Sequence, residues 1–116
     1  NSNVDWRVAD LLNPPEEWFG NFDLVVEIHI LQAIPDGGIR ETGAHTLPKL
    51  LNKGGHLLCI GRLDDGRELE MSPPPWPLKR SWLIEQFEDL QEVDFELFTK
   101  SGSPTTPRFV GSWIRI

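Results

Sequence analysis

One cysteine, Cys59, is the only thiol in this chain of 116 residues, so no internal disulfide can brace it. Cys59 stands inside an apolar run with nothing basic beside it, which fits a small core residue better than a reactive thiol. Reduced-thiol usage of this kind fits the cytoplasm. Histidines number three and show no paired spacing, so no metal site is expected. Cations are scarce too: 11 Lys and Arg stand against 18 Asp and Glu, a formal charge of −7. With a pI near 4.8 the chain lacks the clustered cations of a phosphate-backbone binder, and nucleic acid is not an expected partner. No apolar run approaches the ~20 residues that span a bilayer, so no membrane partner is expected either. A Ser-His-Asp order, a cysteine nucleophile motif and a phosphate-cradling glycine loop are all missing, which leaves hydrolase and kinase chemistry without support.

What is present is the composition of a globular domain, 39% hydrophobic and 25% charged, with length for one modest core and no internal repeat. The run Phe22-Asp23-Leu24-Val25-Val26-Glu27-Ile28 and the run His56-Leu57-Leu58-Cys59-Ile60-Gly61-Arg62 are short and almost continuously apolar, as strands covered on both faces must be. Between them Asp36 is a candidate N-cap, and Ile39, Gly43, Leu47, Leu50 and Leu51 recur at helical spacing. Pro48 predicts a kink or break before the last turn, and Asn52-Lys53-Gly54-Gly55 is expected to end the helix. Two parallel strands joined by a helical crossover make an α/β fold of the doubly wound kind, whose ligand sits beyond the carboxyl ends of the strands.

Around this unit, Val4-Asp5-Trp6-Arg7-Val8-Ala9 reads as a strand that breaks at residues 10–15. Residues 16–21 read as one helical turn or loop with Trp18 and Phe19 packing down. A polar loop over residues 63–71 leads into Ser72-Pro73-Pro74-Pro75-Trp76-Pro77, a stiff extended segment suited to covering a pocket. Leu83, Ile84, Phe87 and Leu90 mark a second amphipathic helix over residues 79–90. The strand around residues 93–98 and the final strand over residues 108–116 are joined closely enough to be antiparallel.

Ala9-Asp10-Leu11, Phe22-Asp23-Leu24-Val25-Val26, Leu50-Leu51-Asn52-Lys53-Gly54-Gly55-His56-Leu57-Leu58 and the closing hairpin together resemble the carboxy-terminal portion, from the third strand onward, of a class I S-adenosylmethionine-dependent methyltransferase. Lys53 stands where that family often has proline. The resemblance implies a Rossmann-like sheet ordered three, two, one, four, five, seven, six. The first two strands, the glycine-rich turn and the acidic ribose-binding residue would lie before Asn1. It thus implies a single, incomplete domain over residues 1–116, part of a longer or complemented protein that transfers a methyl group to a small-molecule acceptor.

By that resemblance Asp10 accepts a hydrogen bond from the adenine amine of S-adenosylmethionine and the Leu11 backbone meets the ring; the alternative for Asp10 is a turn cap. Glu27, Ile28 and Gln32 follow at the cofactor side of the central strand. His29 is the candidate catalytic base, although alignment of acceptor, methyl and sulfur carries most of such a reaction. Arg62 and Trp76 are candidates for the acceptor pocket; Trp76 packed onto Trp82 is the plainer alternative. With two strands absent between the third and the fourth, an apolar strand edge would be left open. Pairing with a second copy or a complementing fragment is therefore expected. Two rivals remain: a non-catalytic truncated module that assembles through that edge, and a fragment of a dehydrogenase, which would close with parallel strands.

Overall fold

The computed structural model describes residues 12–28, 30–35, 37–64, 66, 76–98 and 107–116. The strand expected over residues 4–9, the sites Asp10, Leu11 and His29, the cap Asp36 and the proline run before Trp76 lie outside the described residues.

The first apolar run forms strand β1, Phe22–Ile28, as expected. The crossover helix α1 spans Gly38–Leu50 with Gly37 at its N-cap, and it continues through Pro48 to its end. Strand β2 then starts at once, Leu51–Arg62. Asn52-Lys53-Gly54-Gly55 therefore belongs to the strand and does not close the helix. Tertiary pairing explains this: Gly54 N–H donates to Arg115 O, Arg115 N–H donates to Gly55 O at 2.9 Å, and Gly54 takes φ +81°, where a glycine is tolerated. Helix α2 is shorter than its apolar pattern, Arg80–Gln86. Strands β3, Gln91–Phe98, and β4, Arg108–Ile114, complete the sheet. Two short 3₁₀ turns, Glu16–Trp18 and Leu31–Ala33, flank β1. Trp18 packs edge-on against Phe22 at 5.8 Å, but Phe19 stays exposed.

Spatially the strands lie in the order β1-β2-β4-β3. β1 and β2 are parallel, with Val26 opposite Leu58 and Glu27 opposite Cys59. β4 runs antiparallel to both β2 and β3. Only β4 thus runs against the other three strands, and this reversed strand beside β2 is contrary to what a dehydrogenase fragment would require.

Both helices pack on one face. There Leu57 and Cys59 of β2, and Phe109 and Trp113 of β4, meet Ala44 and Leu47 of α1, Leu83 of α2 and Phe87 just after it, all fully or nearly buried. Trp113 stacks edge-on with Phe87 at 5.0 Å, and Phe95 lies parallel to Phe109 at 5.3 Å. Gly111 is required by this packing, since a Cβ there would come within 2.6 Å of the Trp113 ring. On the opposite face Leu24, Val26 and Ile28 remain 57%, 44% and 50% exposed. The expectation of a central strand covered on both sides is therefore met on one side only among the described residues, because α1 and α2 share a single face.

Candidate functional site

The carboxyl ends of β1 and β2 point to the same end of the sheet, which is where open α/β folds hold ligands. Glu27, the penultimate residue of β1, turns toward the helix-covered face and is buried. One carboxylate oxygen accepts the Leu31 N–H at 2.9 Å and the other accepts the Cys59 thiol at 2.9 Å. The carboxylate thereby caps the turn that follows β1 and satisfies the thiol. Burial first, then the Glu27 charge and this hydrogen bond, push the Cys59 thiol well above its ordinary range, which makes Cys59 inert as a nucleophile.

Gln32 is wholly buried, and its side chain imitates a strand. The amide accepts from the Arg62 N–H at 3.1 Å and donates to the Arg62 C=O at 2.7 Å. The β1–β2 ladder, which ends at Ile28 opposite Ile60, is in effect prolonged by one side chain. Gly61 makes room for it, since a Cβ would fall 2.5 Å from Gln32 Oε1. The Gln32 carbonyl accepts from Trp76 N–H at 2.8 Å, while Leu78 N–H donates to Arg62 O and Asp64 N–H donates to Leu78 O. Segment 76–78 is thus strapped across the end of the sheet by main-chain bonds to both strands' exits. Leaving any of these buried groups unmade would cost about 1–3 kcal/mol.

Beneath this strap, a cleft of about 490 Å³ opens between the first turns of α1 and α2. Arg40, Asp64, Trp76, Lys79, Trp82 and Glu85 line it. The Arg40 guanidinium lies over the Trp82 ring at 4.9 Å, a stacked cation–π pair. Trp76 and Trp82, suspected partners from the sequence, wall the same hollow. A wider hollow of about 740 Å³, lined by residues 12–16 and by Thr42, His45 and Lys49, lies toward the opposite end of α1, away from the strands' carboxyl ends.

Of the candidates drawn from sequence, Gln32, Arg62 and Trp76 come together in the strap, Glu27 lies buried beside them, and Ile28 faces out from the uncovered side of β1. Arg62 is buried, and its backbone makes the contacts described above. Asp10, Leu11 and His29 are outside the described residues. Sequence reasoning missed Arg40, Lys79 and Asp64 as cleft residues and missed the Gln32–Arg62 lock. Gly61 was the available signal for the lock, because a glycine inside an apolar strand marks a close approach. Among the described residues no cluster of His, Cys, Asp and Glu could hold a metal ion, and no helix is long and apolar enough to cross a membrane.

Comparison of the sequence with protein-family models and with curated proteins finds no match. The fold does match solved structures. An S-adenosylmethionine-dependent methyltransferase from Methanosarcina mazei aligns with TM-score 0.73 at 12% identity, over 95% of this chain and 66% of the other. The N-methyltransferase NodS from Bradyrhizobium japonicum, in complex with S-adenosylhomocysteine, aligns with TM-score 0.71 at 20% identity, over 98% of this chain and 55% of that one. The [4+2]-cyclase SpnF aligns with TM-score 0.74 at 11% identity, over 97% and 56%. The chain therefore spans about half to two-thirds of the length of the structures that it matches. The order β1-β2-β4-β3 reproduces strands four, five, seven and six of the methyltransferase sheet, and the chain has the class I S-adenosylmethionine-dependent methyltransferase fold in that part.

Proposed function

We infer that this chain forms the carboxy-terminal part of an S-adenosylmethionine-dependent methyltransferase acting on a small-molecule acceptor, completed by further residues of its own or of a partner. The observation that carries this reading is the closing hairpin, in which β4 lies antiparallel between β2 and β3. Among the fold neighbours, NodS was solved with S-adenosylhomocysteine. A Burkholderia thailandensis N1-methyltransferase was solved with the small molecule 1,6-didemethyltoxoflavin and S-adenosylhomocysteine. The acidic net charge of −7 favours a small acceptor over a polyanionic one. A cyclase with the same fold is the reason that binding and transfer must be measured, since function follows the site and not the scaffold.

The described residues fit the cofactor only as supports. Glu27 has both oxygens engaged inside the fold, and Gln32 has its amide engaged with Arg62, so neither offers a free polar group to a ligand. In this reading Asp10 and Leu11 take the adenine and Ile28 bounds the pocket beside the cofactor. Glu27 and Gln32 hold the loop after β1, while His29, Arg62 and Trp76 stand toward the acceptor. The cofactor supplies the electrophilic methyl group, and the chain's share is orientation of the acceptor. Calorimetric titration with S-adenosylhomocysteine tests this: one-to-one binding that Asp10→Ala abolishes is expected from the chain once completed by its upstream residues. Absence of binding by that completed protein would end the reading.

A second reading is favoured by one observation, the exposed Leu24, Val26 and Ile28 on β1. Here the chain is a non-catalytic module that pairs with a second copy or a complementing fragment through that strand. A well-folded monomer in sedimentation would refute it.

A further inference from the structure

The cleft between α1 and α2 has the construction of a ligand site in its own right. Its volume of about 490 Å³ is ample for a small molecule. Two of its walls are indoles, Trp76 and Trp82. Both are held before any ligand arrives. The Trp76 main chain is fixed by its backbone N–H, which donates to Gln32 O at 2.8 Å, and is followed by Pro77 and by Leu78, whose N–H donates to Arg62 O. Trp82 carries the Arg40 guanidinium stacked on its face at 4.9 Å, and Arg40 is only 6% exposed. Pre-set walls of this kind reduce the ordering cost of binding. The remaining lining residues bring charges of both signs: Lys79 on one hand, Asp64 and Glu85 on the other. These three make no salt bridge among the described residues, and although Asp64 Oδ1 accepts the Gly66 N–H at 3.0 Å, the cleft offers the Lys79 cation and the carboxylates of Asp64 and Glu85 beside apolar walls.

We propose that this cleft binds an aromatic α-amino acid, or a close zwitterionic analogue with a flat ring. The ring stacks on Trp76, with Trp82 and the Arg40 that covers it as the second wall, the carboxylate meets Lys79, and the ammonium meets Asp64 and Glu85. A zwitterion suits the protein as a whole, because a net charge of −7 repels a bare anion at long range and leaves a neutral ligand unaffected. The proposal goes beyond the methyl-transfer reading; it shares Trp76 with the acceptor side of that reading, but binding here needs no cofactor, so the two can fail separately.

The test is titration of the 116-residue chain with L-phenylalanine, followed by indole emission. A saturable change is expected. Hydrocinnamate, which lacks the amine, phenethylamine, which lacks the carboxylate, and cyclohexylalanine, which lacks the flat ring, should each bind at least about tenfold more weakly, the loss expected for about 1.4 kcal/mol of contact. Trp76→Ala should remove the change, and Lys79→Gln should weaken it several-fold, with circular dichroism as in the parent. The proposal is overturned if no saturable change appears, or if the three analogues bind as well as L-phenylalanine. It is equally overturned if Lys79→Gln, an exposed position outside the core, binds like the parent. Should Trp76→Ala lose its fold, Lys79→Gln and the analogues decide the matter.

Discussion

The two outer strands of the sheet are built differently. β3 presents Glu92, Asp94 and Glu96 along its length and carries a register shift between Glu92 and Asp94. Acidic side chains and bulges are how proteins discourage pairing at a terminal edge. β1 sits at the other end of the order, yet its outward face offers Leu24, Val26 and Ile28. Its only surface acid is Asp23, which accepts a hydrogen bond from the Asn52 amide. β3 also exposes Val93, Leu97 and Phe98, so the two edges differ in their acids, three along β3 against the single exposed Asp23 of β1. Both depend on one aromatic core on the helix-covered face, where Trp113 touches Phe87 and Phe95.

If the two edges share that core, Trp113→Ala should loosen both at once. A loss of about 3–5 kcal/mol is expected for a buried aromatic, read from urea unfolding, with hydrogen exchange rising together in β1 and β3; protection retained in one edge alone would show two separate units. Gln32→Leu should act on the β1 end only, by about 2–3 kcal/mol, because it strands the Arg62 N–H and removes one acceptor-matched donor in a buried place. Exchange should quicken at Arg62 and Trp76 while β3 is unchanged.

Alkaline pH probes the β1 side through Cys59. Below about pH 8.5 the thiol is protonated in folded and unfolded chains alike. Above it the unfolded thiol ionises, whereas the folded one, raised by burial and by Glu27, keeps its proton. Stability should therefore fall as pH rises past that point, and Cys59→Ala should flatten the slope in urea midpoints measured across that range.

Exchanging the edges' chemistry sharpens the comparison further. Val26→Lys should lower self-association and Glu96→Val should raise it, each with stability within about 1 kcal/mol of the parent; sedimentation velocity reads the difference, and equal behaviour of the two variants would dissolve it. Smallest of all is Arg80→Ala, which removes the 3.2 Å surface pair with Glu92 and the stacking over Phe95 at 4.4 Å. About 1 kcal/mol or less is expected, in denaturant midpoints.

Local pattern was a good guide where a segment's own residues decide its state. β1 was legible because β-favouring apolar residues crowd between Gly20-Asn21 and the turn after Ile28, and the antiparallel closing strands because their connection is short. It misled at residues 52–55. Two consecutive glycines resemble a helix stop, but pairing with Arg115, sixty residues away in sequence, draws them into β2. The second helix was read too long for a similar reason: Phe87 and Leu90 keep a helical spacing, yet they are buried by the turn that leads into β3.

At the site the same division holds. Position at the carboxyl ends of parallel strands follows from the α/β pattern, so Glu27, Gln32, Arg62 and Trp76 could be singled out from sequence. Their contacts could not. A glutamine amide is chemically suited to a ligand and equally to a backbone; only the packed end of β2, with Gly61 clearing space, commits Gln32 to Arg62. The sequence by itself determined the order of helices and strands and the parallel unit, though not the bounds of β2 and α2, because hydrophobic periodicity and turn chemistry act over a few residues. Strand order, the single covered face and the cleft between Trp76 and Trp82 were decided by tertiary structure, because each depends on residues far apart in the chain competing for the same buried surface.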